Sequence, residues 1–153
     1  MTPKRARRLF KLLNLYPPFL GAGINVKHIN EDCTRFEVRM KLRWYNRNLF
    51  GTHFGGSLYA MTDPFFVFIV GHYLGREYIV WDKTATIRFK LPGKGTMTAI
   101  FEISHEELAR IKEEVDELGK KTYWYTAEVK GPKGETVATV EKEVYVRKKK
   151  PKA

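Results

Sequence analysis

Gly55-Gly56-Ser57-Leu58-Tyr59-Ala60-Met61-Thr62-Asp63-Pro64-Phe65-Phe66-Val67-Phe68-Ile69-Val70 opens on paired glycines and then turns apolar on nearly every side. A helix that is apolar all round has to be enclosed by the rest of its own protein. Extended to Leu74, the run has the composition of a membrane helix. Asp63 and Pro64 sit near its middle, however, and a central carboxylate is costly in lipid. A buried helix is therefore expected, with Pro64 bending it or marking a local irregularity unless it lies in the first turn.

The flanking segments supply the enclosure. Upstream, Phe36, Val38, Met40 and Leu42 alternate with Glu37, Arg39, Lys41 and Arg43, the period of a half-buried strand over 34–43. Residues 24–30 are a candidate first strand. Residues 5–15 place Leu9, Leu12, Leu13 and Tyr16 at helical spacing, a short amphipathic helix that Pro17-Pro18 should end. Downstream, Ile79, Trp81, Lys83, Ala85, Ile87 and Phe89 are expected to share one strand face, and Met97, Ala99, Phe101 and Ile103 mark the next strand.

Ser104–Leu118 then combines a Ser104/Glu107 capping box, the stripe Leu108, Ile111, Val115, Leu118 and a closing Gly119. Residues 122–130 and 137–147 form a hairpin across Gly131-Pro132-Lys133-Gly134. The order predicts an α+β domain in which an antiparallel sheet curves about one long helix, with an extra amphipathic helix between strands four and five. No linker or repeat divides the 153 residues, so a single domain over 1–153 is expected. Trp44, Trp81 and Trp124 are assigned to core or interface rather than to ligand stacking.

A net charge of +11 suggests a nucleic-acid binder until the charges are placed. Ten of the 28 Lys and Arg residues lie in the basic ends, about 1–11 and 147–153, which hold no acid; 18 remain against 17 acids. The body is nearly neutral. The ends are solubilising tails, or a sequence-independent field for RNA, anionic lipid or a phosphorylated ligand. Cys33 is the one cysteine, so no internal disulfide can form, and with no apolar signal segment after the N-terminal cations a cytoplasmic setting is expected. His28, His72 and His105 are scattered and no metal spacing is present, so no metal is expected.

Asn48-Leu49-Phe50-Gly51-Thr52-His53-Phe54-Gly55-Gly56-Ser57 carries the chemistry. The glycines let a ligand approach backbone, and a helix start offers N–H groups to a carbonyl oxygen. Asp63, two turns on in an apolar run, is a carboxylate that needs a reason if it is buried. Donors for an oxyanion and a carboxylate to activate water are the parts of an acyl-transfer site. Each has a plainer reading. Asp63 before Pro64 can cap a helix break, His53 can be a loop histidine bonded to backbone, and Gly55-Gly56 can serve close packing.

The run Asn48, Gly51, Gly55-Gly56 and Asp63, with Asp63 seven residues after Gly56, resembles the signature of the phenylacetyl-CoA-type hotdog thioesterases. Residues 84–95 are similar to the third-strand exit of that family and 134–138 to its last hairpin, so the resemblance spans roughly residues 24–147. It implies a helix wrapped by an antiparallel sheet, protomers paired edge to edge as a dimer or a homotetramer, and active sites at the dimer interface. It further implies Asp63 as general base or nucleophile, the Gly56 N–H on the thioester carbonyl, and Asn48 holding the loop or the attacking water. Gly55 and Phe54 would contact substrate, and Arg88, Lys90 and Lys94 would take the CoA phosphates. The family's His-Gly-Gly is Phe54-Gly55-Gly56 here, with the histidine displaced to His53, which is counted with Asp63, Gly56 and Asn48 as a candidate catalytic residue.

The expected activity is hydrolysis of a small or medium acyl- or aryl-CoA, with no separate cofactor. The expected partners are that substrate and copies of the chain, with no membrane or nucleic acid. The alternatives are an acyl-CoA-binding or dehydratase-like protein that does not hydrolyse, and a module acting through its basic tails.

Overall fold

The computed structural model describes residues 2–150. Helix α1 covers Pro3–Lys11 and passes through a 3₁₀ turn, Leu12–Leu15, into α2, Pro17–Ala22. Strands β1 (Ile24–Ile29) and β2 (Arg35–Lys41) follow, then α3 (Gly55–Ala60) and α4 (Phe65–Leu74). Strands β3 (Tyr78–Phe89) and β4 (Thr96–Glu102), helix α5 (His105–Leu118), and strands β5 (Lys120–Lys130) and β6 (Thr136–Lys148) complete the chain. Pro17-Pro18 opens a helix instead of only ending one, because proline's fixed φ and missing N–H suit the first helical position.

All neighbouring strands are antiparallel, in the order β1-β2-β4-β5-β6-β3. The sheet curves about the central helix, the hotdog architecture expected from the sequence. That helix comes in two pieces. Pro64 has no N–H to give a preceding turn, so α3 stops at Ala60 and α4 restarts at Phe65. Phe65 and Phe66 pack on Phe101 of β4, Phe65 stacked at 4.7 Å between ring centroids, and Phe66 stacks on Tyr125 of β5 at 4.9 Å.

The sheet opens between β4 and β5, which share only the pairs Thr98/Lys130 and Ala99/Val129. Helix α5 lies beside the free part of β5, burying Leu108, Ile111 and Val115. Tyr123 Oη donates to Glu114 of α5 at 2.8 Å. Ser104 caps α5 by accepting the Glu107 N–H at 3.1 Å.

One expectation is overturned and another is narrowed. The face assigned to β3 is not continuous, because a bulge between Asp82 and Thr84 adds one residue and reverses the alternation. Before it Tyr78 is buried and Asp82 is more enclosed than Trp81 and Lys83, after it Ala85 and Ile87 are the enclosed positions, and Trp81 and Phe89 face outward. No tryptophan is in the core; Trp44, Trp81 and Trp124 are all exposed in the single chain, Trp81 stacked on Tyr145.

Candidate active site

The loop between β2 and α3 is built by asparagines. Asn46, buried, donates to the carbonyls of Ala22 and Lys41 at 2.9 and 3.0 Å and accepts the Arg43 N–H. Asn48 Oδ1 accepts the N–H groups of Phe50 and Thr52 at 3.0 and 3.1 Å, and its Nδ2 donates to Thr52 Oγ1 and the His53 carbonyl. Asn48 therefore holds the loop with both ends of its amide.

His53 is buried and ties this loop to the turn after β3. Its N–H donates to the Gly93 carbonyl and its Nε2 lies 2.9 Å from the Gly95 carbonyl. A carbonyl only accepts, so Nε2 carries the proton and Nδ1, buried without a partner, is bare. Burial pushes the imidazole below its ordinary value, against the opposing effect of the bond to Gly95.

The glycine pair sits under aromatic rings. A Cβ on Gly55 would come 3.1 Å from the Phe89 ring, and one on Gly56 2.5 Å from the ring of Phe54, whose side chain is itself exposed. Gly55 thus packs closely against β3, whereas the ring over Gly56 belongs to an exposed side chain that can swing aside. Ser57 and Leu58 make their first helical bonds to the Phe54 carbonyl, while the N–H groups of Gly55 and Gly56 have no acceptor among the described residues.

Two hollows lie at opposite ends of α3, whose six residues run about 9 Å. One of about 640 Å³ brings together Asn48, His53, Gly55, Lys90 and Lys94. The other, about 560 Å³, is an aromatic groove between Tyr16 and Phe19 of the N-terminal segment and Tyr59 and Phe68 of the central helix, with Asp63 on its wall. The structure therefore divides the expected constellation, with Asp63 in the second hollow. Phe54, Gly56 and Arg88 line neither; Arg88 pairs with Glu141 across the β3–β6 ladder.

The expected burial of Asp63 is also corrected. The residue stands in the break between α3 and α4, so its side chain leaves the helix and is 56% exposed. The buried ion is Lys142 instead. This lysine occupies an inward position of β6 between Val140 and Val144, all three fully enclosed. Its Nζ donates to Asp82 Oδ2 at 2.5 Å and to the Asp63 carbonyl, and lies 3.4 Å from Asp63 Oδ1 and 5.9 Å from the centre of the Tyr59 ring. Burial raises the Asp82 carboxyl above its ordinary value although the Lys142 cation opposes this, and Asp82 Oδ1 has no partner. The sequence carries a signal for Lys142, a cation in the apolar register of a strand. Asp82 was hidden by the bulge beside it.

Burial pushes the Cys33 thiol up, away from the thiolate. Among the described residues no three His, Cys, Asp or Glu side chains gather as a metal site, and no helix is long and apolar enough to cross a membrane.

A family model described as a domain of unknown function, DUF4442, matches residues 6–146. Among solved structures, a Pseudomonas aeruginosa protein of unknown function described as a probable thioesterase is similar over 97% of both chains, at 20% identity and a TM-score of 0.82. A protein of unknown function from Chlorobaculum tepidum matches at 18% identity and 0.78, over 97% of this chain and 98% of its own. The E. coli PaaI protein from the phenylacetic acid degradation operon matches at 19% and 0.64, over 98% and 97%. The comparison with curated proteins found no match. At these identities the likeness establishes the fold.

Proposed function

The chain belongs to the DUF4442 family, and from that premise and the site geometry we propose that it is an acyl-CoA thioesterase working by carboxylate-assisted attack of water. The observation that carries the reading is Asp63. It is a carboxylate at a break in the central helix, on the wall of an aromatic groove, with α3 leading back to the free N–H groups of Gly55 and Gly56.

In this reading the acyl or aryl group lies in the groove and the thioester carbonyl oxygen accepts from the Gly56 N–H. Asp63 takes a proton from water as its oxygen bonds to the carbonyl carbon. The tetrahedral intermediate then breaks its C–S bond, and the departing thiolate takes the proton from Asp63, releasing a carboxylic acid and CoA. Asn48 serves by holding the loop. Lys90 and Lys94, in the other hollow, take the CoA phosphates, while Arg88 is spent on Glu141.

Sites placed at opposite ends of a six-residue helix are easier to unite across two protomers than within one. Strand β3, twelve residues long, pairs only with β6 and leaves its other edge open. Pairing β3 with β3 of a second copy covers that edge, and pairing of dimers gives a tetramer. The proposed setting is cytoplasmic.

A non-hydrolytic acyl-CoA-binding protein is the second reading. It is favoured by His53, whose ring is committed to the Gly95 carbonyl.

The test is a hydrolysis screen against acyl-CoAs of several chain and aryl types, with Asp63→Asn in parallel. Turnover lost in the variant is the expected result. Thioester binding without turnover moves the assignment to the silent relative, and an active Asp63→Asn enzyme removes Asp63 from the mechanism.

A further inference from the structure

The first thirty residues contain no Asp or Glu, and five of their cations, Lys4, Arg5, Arg7, Arg8 and Lys11, fall on α1. The inner face of this helix is satisfied. Ala6 is fully buried, and Phe10 packs against Phe36 and Phe68 at 5.2 Å between centroids. The outer face is not that of a solvated helix. Arg5, Arg8, Leu9 and Leu12 follow at spacings that put them on one stripe. Leu9 and Leu12 are about half exposed, and Leu15, Tyr16 and Leu20 continue the apolar surface, Leu15 being 68% exposed. Among the described residues none of the five cations forms an ion pair, although surface cations elsewhere do so repeatedly.

Unpaired cations interleaved with outward leucines fit a surface that is both anionic and oily. We propose that residues 3–20 dock the protein on an anionic lipid bilayer, with Leu9, Leu12, Leu15 and Leu20 entering the acyl boundary and the α1 cations meeting lipid phosphates. Helix α1 is far too short to span a bilayer, so the segment lies in the plane of the interface. RNA fits less well, since single strands are gripped by stacking on aromatic rings and the exposed side chains here are aliphatic apart from Tyr16. A second copy fits less well too. On the acid-rich helix α5, Glu107, Glu114 and Asp116 are neutralised by Arg110, Lys121, Lys112 and Lys148, and the acids left over, Glu106, Glu113 and Glu117, could meet the cations but not the outward leucines. The same N-terminal segment turns Leu13, Tyr16 and Phe19 onto the aromatic groove, so docking brings that groove to a source of acyl chains. The proposal stands whether or not the protein hydrolyses thioesters.

The full chain should co-sediment with phosphatidylcholine vesicles containing about one-third phosphatidylglycerol and stay in solution with pure phosphatidylcholine. Leu9→Gln/Leu12→Gln/Leu15→Gln and Arg5→Gln/Arg8→Gln/Lys11→Gln, each checked for native circular dichroism, should each lower vesicle affinity by about tenfold or more. No sedimentation of the wild type with anionic vesicles overturns the proposal, and that comparison needs no variant. Undiminished binding by the leucine variant overturns it in favour of a bare electrostatic field, and polyuridylate binding that exceeds vesicle binding does so in favour of RNA. A leucine variant with a changed oligomeric mass assigns the surface to a second copy.

Discussion

Lys142 and Asp63 trade places relative to what their residue types suggest. The carboxylate expected in the core stands at a groove, and a lysine of β6 is wholly enclosed with Asp82 as its counter-ion. Removing one member of such a pair strands the other charge. Lys142→Met should cost about 3–5 kcal/mol in urea unfolding, and adding Asp82→Asn should recover most of it, since a neutral pair leaves no buried charge. Asp63→Asn should be milder, costing about 1 kcal/mol, because Asp82 stays with Lys142 and the Asp63 side chain is half exposed, while lowering the proposed thioesterase turnover by about a hundredfold or more.

His53 adds a pH dependence. Its lowered value means that the native state resists protonation and the unfolded chain takes up the proton more readily. The stability it contributes is complete above the ordinary imidazole value near 6.5 and falls as pH drops below it toward the lowered folded value. His72, also lowered by burial, has the same sign. A pH series of thermal unfolding should show a shallower acid-side decline in His53→Gln than in the wild type.

Among elements, α5 was the most legible, because every signal for it is local. The cap Ser104, the stripe positions Leu108, Ile111 and Val115, and Gly119 at φ 78° lie where the sequence puts them, whereas Leu118, the fourth stripe residue, is exposed at the helix end. Ser104→Ala should lower stability by about 1 kcal/mol, measured by thermal or urea unfolding. The central helix was legible in its enclosure and less so in its continuity. Pro64 announced an irregularity, yet whether a chain bends or restarts depends on what else satisfies its free backbone groups. Here Lys142 does part of that work, donating to the carbonyls of Thr62 and Asp63. Phe65, stacked on Phe101 inside that enclosure, should cost about 3–5 kcal/mol when replaced by alanine.

For the whole molecule, the open edge of β3 and the outward faces of Trp81 and Phe89 are the features a second copy would cover. If β3 pairs with itself, Trp81→Lys/Thr86→Lys sets cations opposite one another across the seam. Sedimentation equilibrium should then show monomers where the wild type sediments as a dimer or larger, and an unchanged mass would place the interface elsewhere.

Periodicity, caps and turn residues act over a few positions, so the sequence alone determined the order of elements from β1 onward, the alternation in β2 and β4, the α5 helix and the last hairpin, and with them the α+β class. The segments that carry the candidate site depended on long-range packing. The bulge in β3 shifts which side chains face inward, and that shift is decided by pairing with β6, some sixty residues away. Asp63 was legible as an unusual carboxylate, but its exposure follows from the helix break. The separation of Asp63 from His53, Lys90 and Lys94 follows from which end of α3 each adjoins. Lys142 reaches Asp63 and Asp82 only because the sheet closes over the central helix. An ion's burial and partners are properties of the assembled sheet and helix, and no local pattern encodes them.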